Sequence, residues 1–148
     1  MKTVFNLLII SFFFSACGGY SESEKSQIDI QIQSLIKKKG WTMEKSESGV
    51  YQQQLKEGAG NELHIRDILE VSYNGFLLNG IVFDKTKKPI QLEMSGLIAG
   101  WKEVLVGKKA GTKIRFICPP HMAYGRSSKD KIPENSILIF EVEVIGIK

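Results

Sequence analysis

Residues 97–125 read LIAGWKEVLVGKKAGTKIRFICPPHMAYG, and two different hydrophobic periods run through them. Leu97, Trp101 and Leu105 recur at i, i+4 and i+8 with Ile98 beside them, which is the stripe of a short amphipathic helix. Gly107 is a natural stop for it. Ile114, Phe116 and Cys118 then alternate with Lys113, Arg115 and Ile117, the two-residue period of a strand with one covered face. Pro119-Pro120 ends that strand, because neither residue has an N–H to give to a ladder, and Ala123-Tyr124-Gly125 follows in a loop. A tryptophan on a short helix and a tyrosine just past a strand can line one apolar cavity.

Outward from this stretch, 148 residues are enough for one domain with a real core. A net charge of +4 and a hydrophobic content of 43% are ordinary globular values, and they argue against a nucleic-acid-binding chain. Lys2 followed by eleven mostly apolar residues, Val4 to Phe14, is a positive n-region with an h-region. It is too short for a membrane-spanning helix, which needs about 20 apolar residues. Phe14-Ser15-Ala16-Cys17-Gly18 behind it resembles the bacterial lipobox, which implies a lipid on Cys17 as the new N-terminus. The competing reading is an ordinary secretory signal with a stray cysteine. With Cys17 lipidated, Cys118 has no disulfide partner and is most simply a small core hydrophobe. A catalytic thiol served by His121 is the alternative.

Gly18 to Ser26 is small and polar and reads as a tether. Ile28, Ile32, Leu35 and Ile36 have helical spacing, and Lys37-Lys38-Lys39-Gly40 supplies a basic last turn and a stop, so a helix is expected over Ser26 to Lys39. A strand through Ile28, Ile30 and Ile32 competes. Trp41 and Met43 are placed to dock the helix on the domain. Strands are expected over Gly49 to Glu57, around Leu69, Val71 and Tyr73, at Ile90, Leu92 and Met94, and from Ile137 to Ile147. Gly58-Ala59-Gly60-Asn61, Gly75 and Asn79-Gly80 mark turns or bulges. The organisation expected is residues 1–17 as a signal peptide, 18–48 as linker and helix, and 49–148 as one α+β domain, with no second module after Lys148.

Across Gly49 to Lys148 the chain resembles the FKBP-type peptidyl-prolyl cis-trans isomerases. Carrying the resemblance are Val71-Ser72-Tyr73-Asn74-Gly75, Phe83-Asp84, Leu97-Ile98-Ala99-Gly100-Trp101, Ala123-Tyr124-Gly125, Ile132-Pro133 and Leu138-Ile139-Phe140-Glu141-Val142, in that order. It implies an FKBP-like antiparallel sheet of five or six strands curled around a short helix, with the pocket between them. With the lipobox and the N-terminal helix, the chain is also similar to the periplasmic FKBP lipoproteins of Gram-negative bacteria. That likeness implies a domain in the periplasm, lipid-anchored to a membrane, with the outer membrane favoured; separately, a monomer is expected.

Position by position, the resemblance makes Trp101 the floor of a proline pocket. Tyr73, Phe83, Ile98 and Phe140 become its walls, with Leu97 and Ile132 at the rim. The Ile98 N–H and the Tyr124 hydroxyl would bond substrate carbonyls, and Asp84 would stand at the edge. Ile90 and Leu92 occupy places where the family usually has aromatic residues. No metal or cofactor is implied, and the implied partners are proline-containing polypeptides.

Such chemistry needs only these residue types. Amide resonance opposes C–N rotation by about 18–20 kcal/mol. The twisted state has lost that resonance and much of its charge separation, so an apolar site favours it over the planar amide. The competing function is a chaperone that uses the same pocket with weak turnover; a structural subunit of an envelope complex is a third. Lys85, Lys87 and Lys88 in one loop and Arg126, Lys129 and Lys131 in another are expected to make a basic rim that favours acidic clients.

Overall fold

The computed structural model describes residues 19–148. The signal peptide expected over residues 1–17, with Cys17, lies outside the described residues. The elements in order are α1 (Glu22–Lys39), β1 (Glu44–Lys45), β2 (Tyr51–Lys56), β3 (Ile68–Leu77), β4 (Val82–Lys85), β5 (Ile90–Glu93), α2 (Ala99–Leu105), β6 (Lys113–Cys118) and β7 (Leu138–Ile147). Short 3-10 turns occupy Met94–Gly96 and Pro120–Met122. Among these, no helix is long and apolar enough to cross a membrane.

All seven strands form one antiparallel sheet in the order β1-β2-β6-β7-β3-β4, with β5 also on β3. The resemblance implied five or six strands. The difference comes from the two-residue β1, too short to leave a periodic signal, and from ten-residue β3. One edge of β3 lies along β7; the other is shared, β5 pairing Ile68 to Val71 and β4 pairing Asn74 to Phe76. Gly75 therefore lies inside β3, at a register shift, and is not the end of a strand.

The inner face holds the main core, in which Leu69, Val71, Ile114, Phe116, Cys118, Leu138, Phe140, Val142 and Val144 pack on Trp101, Val104 and Leu105 of α2. The approach is close at Gly100, where an added Cβ would stand 2.2 Å from Cys118 Sγ. The outer face carries a second cluster, Ile32, Tyr51, Ile117, Ile137 and Ile139, built against α1. Thus β6 and the start of β7 are covered on both sides, where the alternation of residues 113–118 predicted one covered face. Ile117 is as buried as Phe116 because α1 supplies the other layer.

α1 is the expected helix and not the competing strand, but it starts earlier than expected, and residues 22–26 are helix and not tether. The cause is a capping box: Ser21 Oγ accepts the Glu24 N–H at 3.2 Å, and the Glu24 carboxylate accepts the Ser21 N–H at 2.8 Å. Gly40, in the left-handed region at φ 64°, closes the other end. Ile32 is 1% exposed, a burial that contributes about 1.5–3 kcal/mol to docking. Asp29 accepts the Tyr51 hydroxyl at 2.8 Å and pairs with Lys45 at 2.7 Å, which fixes the helix along β1 and β2. Trp41 docks as expected, under the Arg115 guanidinium at 4.2 Å.

Candidate active site

Trp101 is 4% exposed and meets three rings edge-on: Tyr73 at 5.2 Å, Phe140 at 5.3 Å and Phe116 at 5.7 Å between centroids. Phe83 closes the row, edge-on to Phe140 at 5.7 Å. Four elements contribute: α2 gives Trp101, β3 Tyr73, β4 Phe83 and β7 Phe140. Each aromatic pair in such geometry adds about 0.5–1.5 kcal/mol beyond area burial, so the rings hold one another in place. The four aromatic residues therefore form one cluster of packed rings. Gly75 makes room for it, since a Cβ there would lie 2.6 Å from Phe83 Cζ.

Tyr73 and Asp84 are joined directly, the phenol donating a short hydrogen bond to Asp84 Oδ2. Burial, then the Asp84 carboxylate and the nearby Tyr124 phenol, push the Tyr73 hydroxyl well above its ordinary pKa. Tyr73 is thus a neutral donor whose ring is aimed by a carboxylate. Thr86 ties the following loop to the same residue: its Oγ1 accepts the Tyr73 N–H at 3.0 Å, and its N–H donates to the Tyr73 carbonyl at 3.0 Å.

Ile98 is the N-cap of α2, with extended backbone at φ −59°, ψ 156°. Among the described residues its N–H has no backbone acceptor, as expected for one of the free donors at a helix start. Leu97, Ile98 and Tyr124 are half-buried against the core and Ile132 is 6% exposed. Tyr124 follows the Pro120–Met122 turn, in a loop pinned by Gly125 N–H to the Pro120 carbonyl at 2.9 Å. Leu92 packs on the core as well. Ile90, opposite Val71 on the edge strand, is 37% exposed and adds little to the wall.

Cys118 is the expected core residue, and the catalytic-thiol alternative finds no support. Cys118 is fully buried, its thiol pushed up by desolvation, and His121 Nε2 instead donates to the Ser48 carbonyl at 2.7 Å; the two do not form a thiol–imidazole pair. Arg126 is withdrawn from the basic rim, paired with Glu24 at 2.8 Å. Lys129 remains on it, its Nζ 5.0 Å from the Tyr124 ring centroid. Sequence reasoning did not select Phe116 for the site, although it stacks on Phe140 at 5.3 Å beneath the indole. Its alternation with Ile114 and Cys118 was the available signal.

Comparison with known proteins agrees with this geometry. The model of the family described as FKBP-type peptidyl-prolyl cis-trans isomerase matches residues 60–145. The chain is 37% identical over 131 residues to the FKBP-type peptidyl-prolyl cis-trans isomerase FkpA of Buchnera aphidicola subsp. Baizongia pistaciae, covering 86% of this chain and 51% of that protein. It is 35% identical over 117 residues to FkpA of Escherichia coli strain K12, covering 77% and 43%. The crystal structure of FkpA from Escherichia coli superposes with a TM-score of 0.74 at 30% identity, covering 86% of this chain and 62% of that one. The chain spans about half the length of the curated relatives it matches.

Proposed function

This chain belongs to the FKBP-type peptidyl-prolyl cis-trans isomerase family, and from that premise we propose that it accelerates rotation about X-Pro bonds in polypeptides. One observation carries the reading: the Trp101 indole is met edge-on by Tyr73 and Phe140, and Phe83 packs edge-on against Phe140, so four rings from four elements gather at one place. A proline ring seated on the indole leaves water behind. Uncatalysed exchange takes tens to hundreds of seconds because the planar amide is held by resonance that polar solvent reinforces. A dry aromatic site removes that reinforcement and favours the twisted state. Every ~1.4 kcal/mol of this preference is tenfold in rate.

In this reading the Ile98 N–H and the Tyr124 hydroxyl grip carbonyls flanking the bond. Asp84 holds the Tyr73 ring upright and performs no proton transfer. Leu97, Leu92 and Ile132 shape the rim, and Ile90 adds an aliphatic edge. The test is a refolding reaction limited by proline exchange, run with the full chain. Acceleration by the parent is expected, with about tenfold less in Tyr124→Phe, a loss near 1.4 kcal/mol. A parent that binds proline peptides without accelerating exchange would be a binding module and not an isomerase.

For location, the reading is a lipid on Cys17 and a domain held outside the inner membrane, in the periplasm with the outer membrane favoured. It is supported by Lys2, the apolar run Val4 to Phe14 and the residues 14–18. Fatty-acid labelling of the parent and its loss in Cys17→Ser tests it.

A further inference from the structure

The loop of residues 123–136 carries Tyr124 and Ile132, yet little of it belongs to the sheet. Its own ties are the reciprocal Lys129–Ile132 backbone pair at 2.8 Å, Gly125 N–H to Pro120, and Asn135 N–H to the Gly125 carbonyl at 2.8 Å. Ser127 N–H also donates to the Tyr124 carbonyl at 3.2 Å, Ser136 Oγ donates to the Pro133 carbonyl at 2.6 Å, and Ile132 is buried in the main core; further support comes from the far end of the sequence. The Tyr20 hydroxyl donates to Asn135 Oδ1 at 2.6 Å. The Arg126 guanidinium lies 4.6 Å over the Tyr20 ring and donates to Glu24 Oε1 at 2.8 Å. Tyr20 also meets the His121 ring at 5.9 Å.

These contacts bracket one residue. Asn135 closes on Gly125, and Arg126 follows it, so both neighbours on the C-terminal side of Tyr124 are held by the arm that leads into α1. Asn135 is in the left-handed region at φ 57°, a conformation its side-chain bond to Tyr20 helps to hold. The Ser21 N–H and the Arg126 guanidinium keep the Glu24 carboxyl near 2, so the pair stays charged at working pH. A single exposed ion pair of this kind contributes little. Here a hydrogen bond, a stacked guanidinium and an ion pair converge on one short arm.

We propose that Tyr20, Glu24 and Arg126 are positioning residues, through which the arm before α1 sets the loop that presents Tyr124 to substrate. The inference rests on the isomerase reading above. Its test uses the full chain with Tyr20→Phe and Arg126→Gln, each alone and combined with Tyr124→Phe. Each single variant lowers kcat/KM about fivefold, the size expected when a reacting group is misplaced by a fraction of an ångström. In the Tyr124→Phe background neither costs anything further, because the group being positioned is gone. Parental kcat/KM in both single variants, or the same loss on top of Tyr124→Phe, overturns the proposal.

Amide exchange provides a readout independent of turnover. Gly125 and Asn135 exchange faster in Tyr20→Phe than in the parent; unchanged exchange at both overturns the clamp. Should Arg126→Gln fail to fold, Tyr20→Phe, which removes one oxygen, decides alone. A parent without isomerase activity sinks the proposed function, while the exchange measurement still decides whether the arm orders the loop.

Discussion

A Cβ added at Gly100 would stand 2.2 Å from Cys118 Sγ and 3.3 Å from the Met122 carbonyl, so α2 and β6 meet with no room between them. Gly100→Ala gains helix propensity but overpacks a closed core. It destabilises by about 1–3 kcal/mol, read as a lower urea midpoint at constant slope. In a Cys118→Ala background the same change costs much less, because the offending sulfur is absent. Equal costs in both backgrounds would mean that the sulfur is not what α2 abuts.

Gly75 has the same relation to a site residue. An added methyl would displace the Phe83 ring from its place against Phe140. Gly75→Ala therefore lowers kcat/KM about tenfold, a loss of ~1.4 kcal/mol at the transition state. Combining it with Phe83→Ala adds nothing further. Full additivity would show that Phe83 is not the route.

Tyr73 sets a pH prediction. Its folded pKa lies above the unfolded value of 10.0, because burial and then the Asp84 carboxylate disfavour the phenolate. The resulting stability is complete below the unfolded value and is lost as pH rises through the folded one. Phenolate absorbance should show one tyrosine titrating later than the rest. Asp84→Asn should bring it down, leaving the burial contribution.

The lysines that remain at the rim predict a salt-sensitive preference. Lys85, Lys87 and Lys88 are exposed and make no ion pair among the described residues, and Lys129 lies over Tyr124. Peptides with Glu beside proline turn over faster than Lys-flanked ones at low salt, and the ratio shrinks toward unity as the Debye length falls to about 3 Å at 1 M. A ratio that ignores salt would leave the lysines without a part in selection.

Ile32 tests whether α1 is integral to the domain. Ile32→Ala costs about 2–5 kcal/mol in one cooperative transition if its site stays as closed as its 1% exposure indicates. A variant with parental stability would make α1 an appendage.

The site residues were legible because each is tied to a short pattern: the stripe at Leu97, Trp101 and Leu105, the alternation through Tyr73, and the alternation through Phe140. All reappear in one packed cluster. Less legible was anything that depends on what covers a strand. Ile117 and Ile139 sit at the phase that alternation assigns to solvent, and only the packed α1 makes them core. The capping box at Ser21 and Glu24 was present in the sequence, but the polar composition of residues 18–26 outweighed it in the reading. Arg126 looked like a free rim cation because its partner Glu24 lies 102 positions away, and separation in sequence carries no information about such pairs.

Tyr20 is held by Asn135, and only three residues, 18 to 20, carry the chain from Cys17 to that grip. Fully stretched they span at most about 10 Å. On the proposed lipidation of Cys17, such a short leash would moor Asn135, and with it the loop that carries Tyr124, beside the headgroups. The protein would then patrol a two-dimensional sheet of solvent, meeting chains that graze the bilayer and seldom those diffusing far from it.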